Sequence, residues 1–246
     1  ALSGVVSRKR WHGAVAVGEL TRHEAVDRRL GAMTPPPAPS APSSFTRTAF
    51  GLIGFACTLA CTRYAKDADK APTMVSRVEL QRMSAAKVQA FEQVADLAQE
   101  VGVDVYAAAE PFTGALGDFD ERLRPVDWEE RLVKTYLTFG LLTDFSMALT
   151  NNLPEDVGLR LLEVVSQDRF GGFAANELLE DIAAQRQLAA RMGLWGRRVV
   201  GEEIGSLLRI LARSPELLEG GMGVEQFHAV LSAGATSRMR GLGLRV

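Results

Sequence analysis

The amino-acid sequence predicts an all-α protein in which residues 46–246 form one helical bundle. Apolar residues recur at three- and four-residue spacing through most of this region, which is the period of a helix with one buried face. Capping residues and prolines separate the periodic segments, and no strand-like alternation follows residue 45. Four long helices and one long connection favour a four-helix bundle with additional C-terminal helices.

The first two helices are expected on either side of a short break. The first covers about 48–67, and Thr73 caps the second, which ends just before Gly102. A connector over 110–125 is expected to be short and partly helical.

The second half of the bundle begins with a third helix that Asp127 caps and that ends near residues 151–152. Pro154 occupies the first turn of a fourth helix, which is expected to reach into the 180s with a kink at Gly171 and Gly172. The last two helices are expected over about 187–213 and 224–239.

One face of each early helix forms an apolar stripe. In the second helix, Lys87 lies in the middle of that stripe, which makes it the most unusual residue of the predicted core. The stripes comprise Phe50, Ile53, Cys57, Ala60 and Tyr64 in the first helix; Leu80, Met83, Lys87, Ala90, Val94, Leu97 and Val101 in the second; and Leu132, Tyr136, Phe139 and Thr143 in the third.

The N-terminal region differs in composition from the bundle. Residues 1–32 carry six Arg/Lys against three Asp/Glu and are expected to form a disordered basic arm. Residues 33–45 hold five of the ten prolines, so they are predicted to be a flexible or polyproline linker. A start of the natural protein at Met33, with residues 1–32 read from upstream, stays open as an alternative.

Composition limits the function classes. Two cysteines exclude a disulfide scaffold and favour the cytoplasm, and the longest apolar run, 49–60, is too short to cross a bilayer. The net charge is −2, and residues beyond the basic arm carry 22 basic and 27 acidic side chains. This acidic balance argues against nucleic acid as a partner. We therefore expect no membrane, and nucleic acid is an unlikely class of partner for this chain.

Several segments of the chain resemble the actinobacterial ferritin-like proteins grouped with the tRNA-(methylthio-isopentenyl-adenosine) hydroxylases. They cover most of residues 50–246 in the same order, and the segment Leu194-Trp-Gly-Arg-Arg is the most specific of them. The others are Tyr64-Ala-Lys-Asp-Ala-Asp-Lys-Ala-Pro, Arg82-Met-Ser-Ala-Ala, Leu132-Val-Lys-Thr-Tyr and Gly140-Leu-Leu-Thr-Asp-Phe. The resemblance implies a ferritin-like four-helix bundle.

The same resemblance implies a di-iron centre inside the bundle, held by carboxylates from four helices and two Glu-x-x-His pairs. All six ligand positions of that pattern carry other residues in this chain. They are Cys57, Lys87, Ala90, Phe139, Gln167 and Phe170.

A count of histidines supports this departure without any alignment. His12 and His23 precede the linker, so only His228 belongs to the bundle, and two Glu-x-x-His pairs are impossible there. An ammonium at Lys87, roughly 6 Å from a divalent ion, would be repelled by about 5 kcal/mol at an effective dielectric near 20. The sequence therefore predicts a bundle with no cofactor and no metal site.

The remaining candidates each have a plainer interpretation. Cys57 and Cys61 have a spacing that suits a soft metal, but buried cysteines more often pack as small hydrophobes. Glu225 and His228 have a metal-compatible spacing but supply too few ligands.

A polar core is also expected, in which Lys87 pairs with Asp144 or Glu92 or extends to solvent. Four charged residues match the family pattern: Arg63, Asp144, Arg197 and Arg198. We expect them to form ion pairs that orient helices rather than to line a substrate entrance. The full set of expected polar-core residues is Arg63, Lys87, Glu92, Asp144, Arg197 and Arg198.

Three functions follow from these observations. The first, which rests on the absent ligand set, is a non-catalytic, metal-free bundle that acts through protein contacts, as a homo-oligomer or with a protein partner. The second is a di-iron oxygenase like the tRNA hydroxylases, and the third is a bundle that holds an apolar small molecule in the former iron cavity. Dense packing of the interior favours the first, and an empty apolar cavity favours the third.

Overall fold

The computed structural model describes residues 41–116 and 122–246. The expected basic arm over 1–32, and most of the expected linker over 33–45, lie outside these residues. Within the described residues every regular element is helical, which confirms the all-α prediction. The α-helices there are α1 (Ser44–Lys70), α2 (Met74–Glu100), α3 (Val105–Ala109), α4 (Trp128–Thr150), α5 (Glu155–Ser166), α6 (Phe170–Ala184), α7 (Arg186–Arg213) and α8 (Val224–Gly241).

Side-chain caps define where the long helices begin. Ser43, Thr73 and Asp127 each accept a hydrogen bond from the backbone N–H three residues later, at 3.0, 3.1 and 2.9 Å. Such caps satisfy one of the free N–H groups of a first turn. The predicted caps at Thr73 and Asp127 are thus confirmed, while α1 begins four residues earlier than expected because Ser43 caps it.

The predicted fourth helix is two helices. A single helix with a kink at Gly171 and Gly172 was expected, but the chain leaves helical geometry at residues 167–169, and both glycines lie inside α6. The side chain of Asp168 accepts a hydrogen bond from the N–H of Phe170 at 3.0 Å. This bond stabilises the new helix start, so the break falls at the Asp rather than at the glycines.

The bundle consists of α1, α2, α4 and the α5–α6 pair, and α7 and α8 pack on the outside of α4. As a result α4 is the most enclosed helix, with 15 of its 23 residues buried. Helix α1 is long and apolar enough to span a membrane, but 61% of its most apolar window is buried inside the bundle. Its apolarity therefore serves the core of the protein.

The C-terminal segment closes the fold after α8. Leu242 and Leu244 are buried, and the N–H of Leu244 donates to the carbonyl of Met239 at 2.9 Å. Gly243 between them has φ +68°, a left-handed conformation that favours glycine. The chain end is therefore held against the body of the bundle.

Candidate functional site

The expected ligand positions meet at the centre of the bundle. Cys57 of α1, Lys87 and Ala90 of α2, and Phe139 of α4 line one cavity of about 30 Å³. A cavity of this size holds about one water molecule. The remaining lining residues are Ile53, Ala56, Ala60, Leu142, Thr143, Ser146, Val164, Val165 and Asp168.

Lys87 is paired with a carboxylate at the edge of this cavity. Its ammonium Nζ lies 3.5 Å from Oδ2 of Asp168, and the two side chains are only 12% and 17% exposed. The hydroxyl of the fully buried Tyr64 donates to the same Oδ2 at 2.9 Å. With the N–H of Phe170 on its other oxygen, Asp168 therefore has three partners, and a mostly buried carboxylate requires such pairing.

The partner of Lys87 differs from the two acids expected from the sequence. Asp144 pairs with Arg238 instead, and Glu92 is exposed on α2. Asp168 reaches Lys87 because it lies in the non-helical segment between α5 and α6. The polar run Ser-Gln-Asp-Arg over 166–169, inside an otherwise helical pattern, is the sequence signal for that break.

Aromatic rings fill the space next to the ion pair. The ring of Phe170 stacks on Tyr64 with centroids 4.9 Å apart, and Phe139 meets Tyr64 edge-on at 5.6 Å. All three side chains are at least 95% buried. The phenylalanines at two of the expected ligand positions therefore fill interior space with close packing.

Burial also determines the acid–base properties of the interior. It raises the pKa of the Cys57 thiol to about 11, an effect that the Lys87 charge partly offsets. It raises the pKa of Tyr64 well above its usual value, and the Asp168 carboxylate adds to that rise. Both groups are therefore protonated at neutral pH.

Two expected ligand positions do not line the cavity: Phe170, which stacks on Tyr64, and Gln167. The side chain of Gln167 is exposed, and with Lys87 and Asp168 it lines a surface groove of about 470 Å³. The break at 167–169 turns it outwards and places Asp168 at the cavity instead. The Lys87–Asp168 pair therefore lies between the interior cavity and a solvent-filled groove.

A second ion pair joins α4 and α8. Both terminal nitrogens of Arg238 donate to the carboxylate of Asp144, with one N–O distance of 2.8 Å. Two glycines make room for it, because a Cβ at Gly234 would lie 1.9 Å from Asp144 and a Cβ at Gly140 would lie 2.0 Å from Arg238. Asp144 therefore orients helices, as expected for the polar core, but with a partner that the sequence analysis did not name.

The other expected polar-core residues lie away from the cavity. Arg63 is half-buried beside Asp67, where its charge acts on that carboxyl. Arg197 and Arg198 are exposed on α7 and donate to the carbonyls of Arg245 and Arg122 at 3.0 and 3.1 Å. Among the residues that the structure describes, these contacts are hydrogen bonds to backbone rather than the expected ion pairs.

A buried carboxylate that was not expected from the sequence lies at the end of the α1 stripe. Asp67 is 0% exposed, accepts from the Thr135 hydroxyl at 2.6 Å and pairs with Arg131 at 3.2 Å. Burial raises its pKa above the usual value, and these partners and Arg63 act in the opposite direction. Its position three residues after Tyr64 is the signal that would have placed it on the buried face.

The fold agrees with what a comparison of the sequence to known protein families finds. The profile of a family described as the ferritin-like domain of actinomycetes matches residues 44–219, well over half of the chain. The chain belongs to this ferritin-like family. The match spans α1 to α7 and stops before α8. No curated protein matches the chain.

The interior of this ferritin-like domain does not fit a di-iron centre. Two bridged irons need several carboxylates and imidazoles that converge on one cavity. Here the lining supplies one carboxylate, Asp168, which is already engaged by Lys87 and Tyr64. Within residues 41–116 and 122–246 no group of three or more His, Cys, Asp or Glu side chains is arranged to hold a metal ion.

The two weaker metal candidates are Cys57 with Cys61 and Glu225 with His228, and in the described part of the chain neither pair is joined by a third ligand side chain. Cys61 is half-buried, and its sulfur lies 3.4 Å from the hydroxyl of Ser84 rather than facing a second ligand pair. Glu225 and His228 are exposed on α8, where the ring of His228 contacts Ser232 at 3.4 Å. Neither pair has the donors that a structural metal site requires.

Proposed function

We propose that this ferritin-like protein is a non-catalytic, metal-free bundle of the cytoplasm that acts through protein contacts, as a homo-oligomer or as a partner subunit. The observation that carries the proposal is the Lys87–Asp168 ion pair at the centre of the expected ligand positions. A lysine ammonium there supplies a fixed positive charge where the resemblance implies metal.

The size of the interior cavity supports this proposal over the other two functions. A space of about 30 Å³ holds about one water molecule, whereas small-molecule sites are on the order of 300–1,000 Å³. The stacked rings of Tyr64 and Phe170 occupy the volume that an apolar ligand would need. Dense packing also leaves no room for a substrate beside two irons.

Exposed apolar side chains support the part of the proposal that concerns protein contacts. Ser76 and Trp128 both donate to Glu177, so the starts of α2 and α4 lie at one end of the bundle. Three apolar residues in these starts, Met74, Val75 and Val126, are 67%, 81% and 82% exposed. Exposed apolar residues at one end of a bundle are the kind of surface that protein partners cover.

The experiment that tests the proposal is a measurement of metal content. The chain is purified without an affinity tag from iron-supplemented cells, next to a ferritin-like protein that has both Glu-x-x-His pairs as the control. We expect less than about a tenth of an equivalent of iron per chain, since the lining carries one engaged carboxylate. About two irons per chain would refute the proposal. The result would instead support the second function, a di-iron oxygenase with a tRNA-hydroxylase-like reaction.

A further inference from the structure

The segment Leu194-Trp-Gly-Arg-Arg resembles the family most specifically. Its last four residues bond to or pack against other parts of the fold, and Leu194 is the exception. Trp195 donates its indole N–H to the carbonyl of Glu130 at 2.8 Å, and Gly196 lets α8 approach, since a Cβ there would lie 2.5 Å from the sulfur of Met239. Arg197 and Arg198 donate to backbone carbonyls, as described above. Leu194 is 65% exposed and is the apolar residue of this segment that faces solvent.

Leu194 lies in a groove of about 670 Å³ between α7 and the C-terminal segment, here called the α7–tail groove. Ala189 and Ala190 add apolar surface to its floor. The wall formed by Arg245 is held in place because its neighbour Leu244 is buried and bonded to α8. The groove therefore exists before any partner binds, which lowers the entropic cost of binding.

Three arginines surround Leu194 in this groove: Arg186, Arg197 and Arg245. The groove lining includes no Asp or Glu, and no carboxylate of the described residues forms an ion pair with any of the three. By contrast, Arg191 on the same helix pairs with Asp127 and Glu130. The groove therefore concentrates unneutralised positive charge around an apolar centre in a chain of net charge −2.

We propose that the α7–tail groove binds an acidic segment of a partner protein, with carboxylates on the three arginines and an apolar side chain on Leu194. Arginine forks match carboxylate geometry, and a leucine at the centre of the groove recognises an aliphatic or aromatic side chain. A nucleic-acid backbone has no group that would cover Leu194, and the excess of acidic residues beyond the basic arm opposes a long polyanion. This inference rests on the proposed function, since both assume action through protein contacts.

The test uses a fluorescein-labelled peptide that alternates glutamates with leucines, titrated with the full chain and followed by fluorescence anisotropy. We expect saturable binding that weakens when NaCl is raised to about 0.5 M. Arg186→Gln/Arg245→Gln is expected to weaken the affinity by about tenfold or more, and Leu194→Ser by about fivefold or more. The matched control is Arg213→Gln at the other end of α7, an exposed arginine outside the groove, which is expected to bind like wild type.

Circular dichroism shows whether each variant keeps its helix content and melting temperature, so that a loss of binding is assigned to the groove. Absence of binding up to about 1 mM, or equal binding by the Arg186→Gln/Arg245→Gln variant, would overturn the inference. Equally effective competition by a single-stranded RNA oligonucleotide would also overturn it, because charge alone would then explain binding. Metal content distinguishes the two proposals: iron in a chain that binds the peptide refutes only the metal-free function.

Discussion

The rings of Tyr64 and Phe170 lie nearly parallel, with their planes 8° apart and their centroids 4.9 Å apart. Phe170 occupies a position where the family resemblance implies a metal-binding histidine, and Tyr64 donates its hydroxyl to the carboxylate that pairs with Lys87. One aromatic pair thus joins the apolar core to its buried ion pair.

Phe170→Ala is expected to lower the free energy of unfolding by about 3–5 kcal/mol, because it empties a closely packed site and removes a stacking partner. Urea denaturation followed by circular dichroism measures the change. Phe173→Ala is the matched control on the same helix, at a half-buried position where a smaller loss is expected. Equal losses in the two variants would contradict a special role for the stack.

Lys87→Met is expected to destabilise the fold by about 1–3 kcal/mol, because the mostly buried Asp168 carboxylate loses its cationic partner and keeps only the hydrogen bonds from Tyr64 and from the N–H of Phe170. Asp168→Asn in the Lys87→Met background is expected to recover part of the loss, since the uncompensated charge is then removed. A double-mutant cycle from urea denaturation measures the coupling. Unchanged stability and helix content in Lys87→Met would show that the lysine has no structural role.

Gly234→Ala is expected to cost about 1–3 kcal/mol, because the new Cβ would lie 1.9 Å from Oδ2 of Asp144 and displace its pair with Arg238. Gly201→Ala is the control, since a Cβ there meets nothing within 4 Å and Gly201 lies inside α7. That control is expected to stabilise the protein by about 0.5–1 kcal/mol through helix propensity. Thermal unfolding compares the two, and similar shifts would refute the role of Gly234 as a spacer.

Asp67 is expected to make stability fall as pH rises above its unfolded pKa near 3.8, because burial raises its pKa in the folded state. The folded protein then binds more protons than the unfolded chain over the window between the two pKa values, so deprotonation favours unfolding. The free energy of unfolding of wild type minus that of Asp67→Asn is therefore expected to decrease from pH 3.5 to 7. An increase over that range would mean that Arg131 and Thr135 outweigh burial.

Helix positions were largely predictable because their causes are local. Thr73 and Asp127 cap helices through bonds that span three residues, and the stripe through Phe50, Ile53 and Tyr64 follows helical periodicity. The position of the break was predicted wrongly: a kink was expected at Gly171 and Gly172, whereas helical geometry is interrupted at residues 167–169, around Asp168. The side chain of Asp168 accepts a hydrogen bond from the N–H of Phe170, and this local bond competed successfully there with helix continuation.

The sequence alone determined that the protein is an all-helical bundle and that it has too few histidines for two Glu-x-x-His pairs, since both depend only on residue type and spacing. Only the tertiary structure decided that Lys87 pairs with Asp168, Asp144 with Arg238 and Asp67 with Arg131. Each pair joins residues at least 64 positions apart, so it depends on how helices turn and pack against each other. Periodicity assigns a residue to a buried face, but the partner it meets there is set by the neighbouring helix.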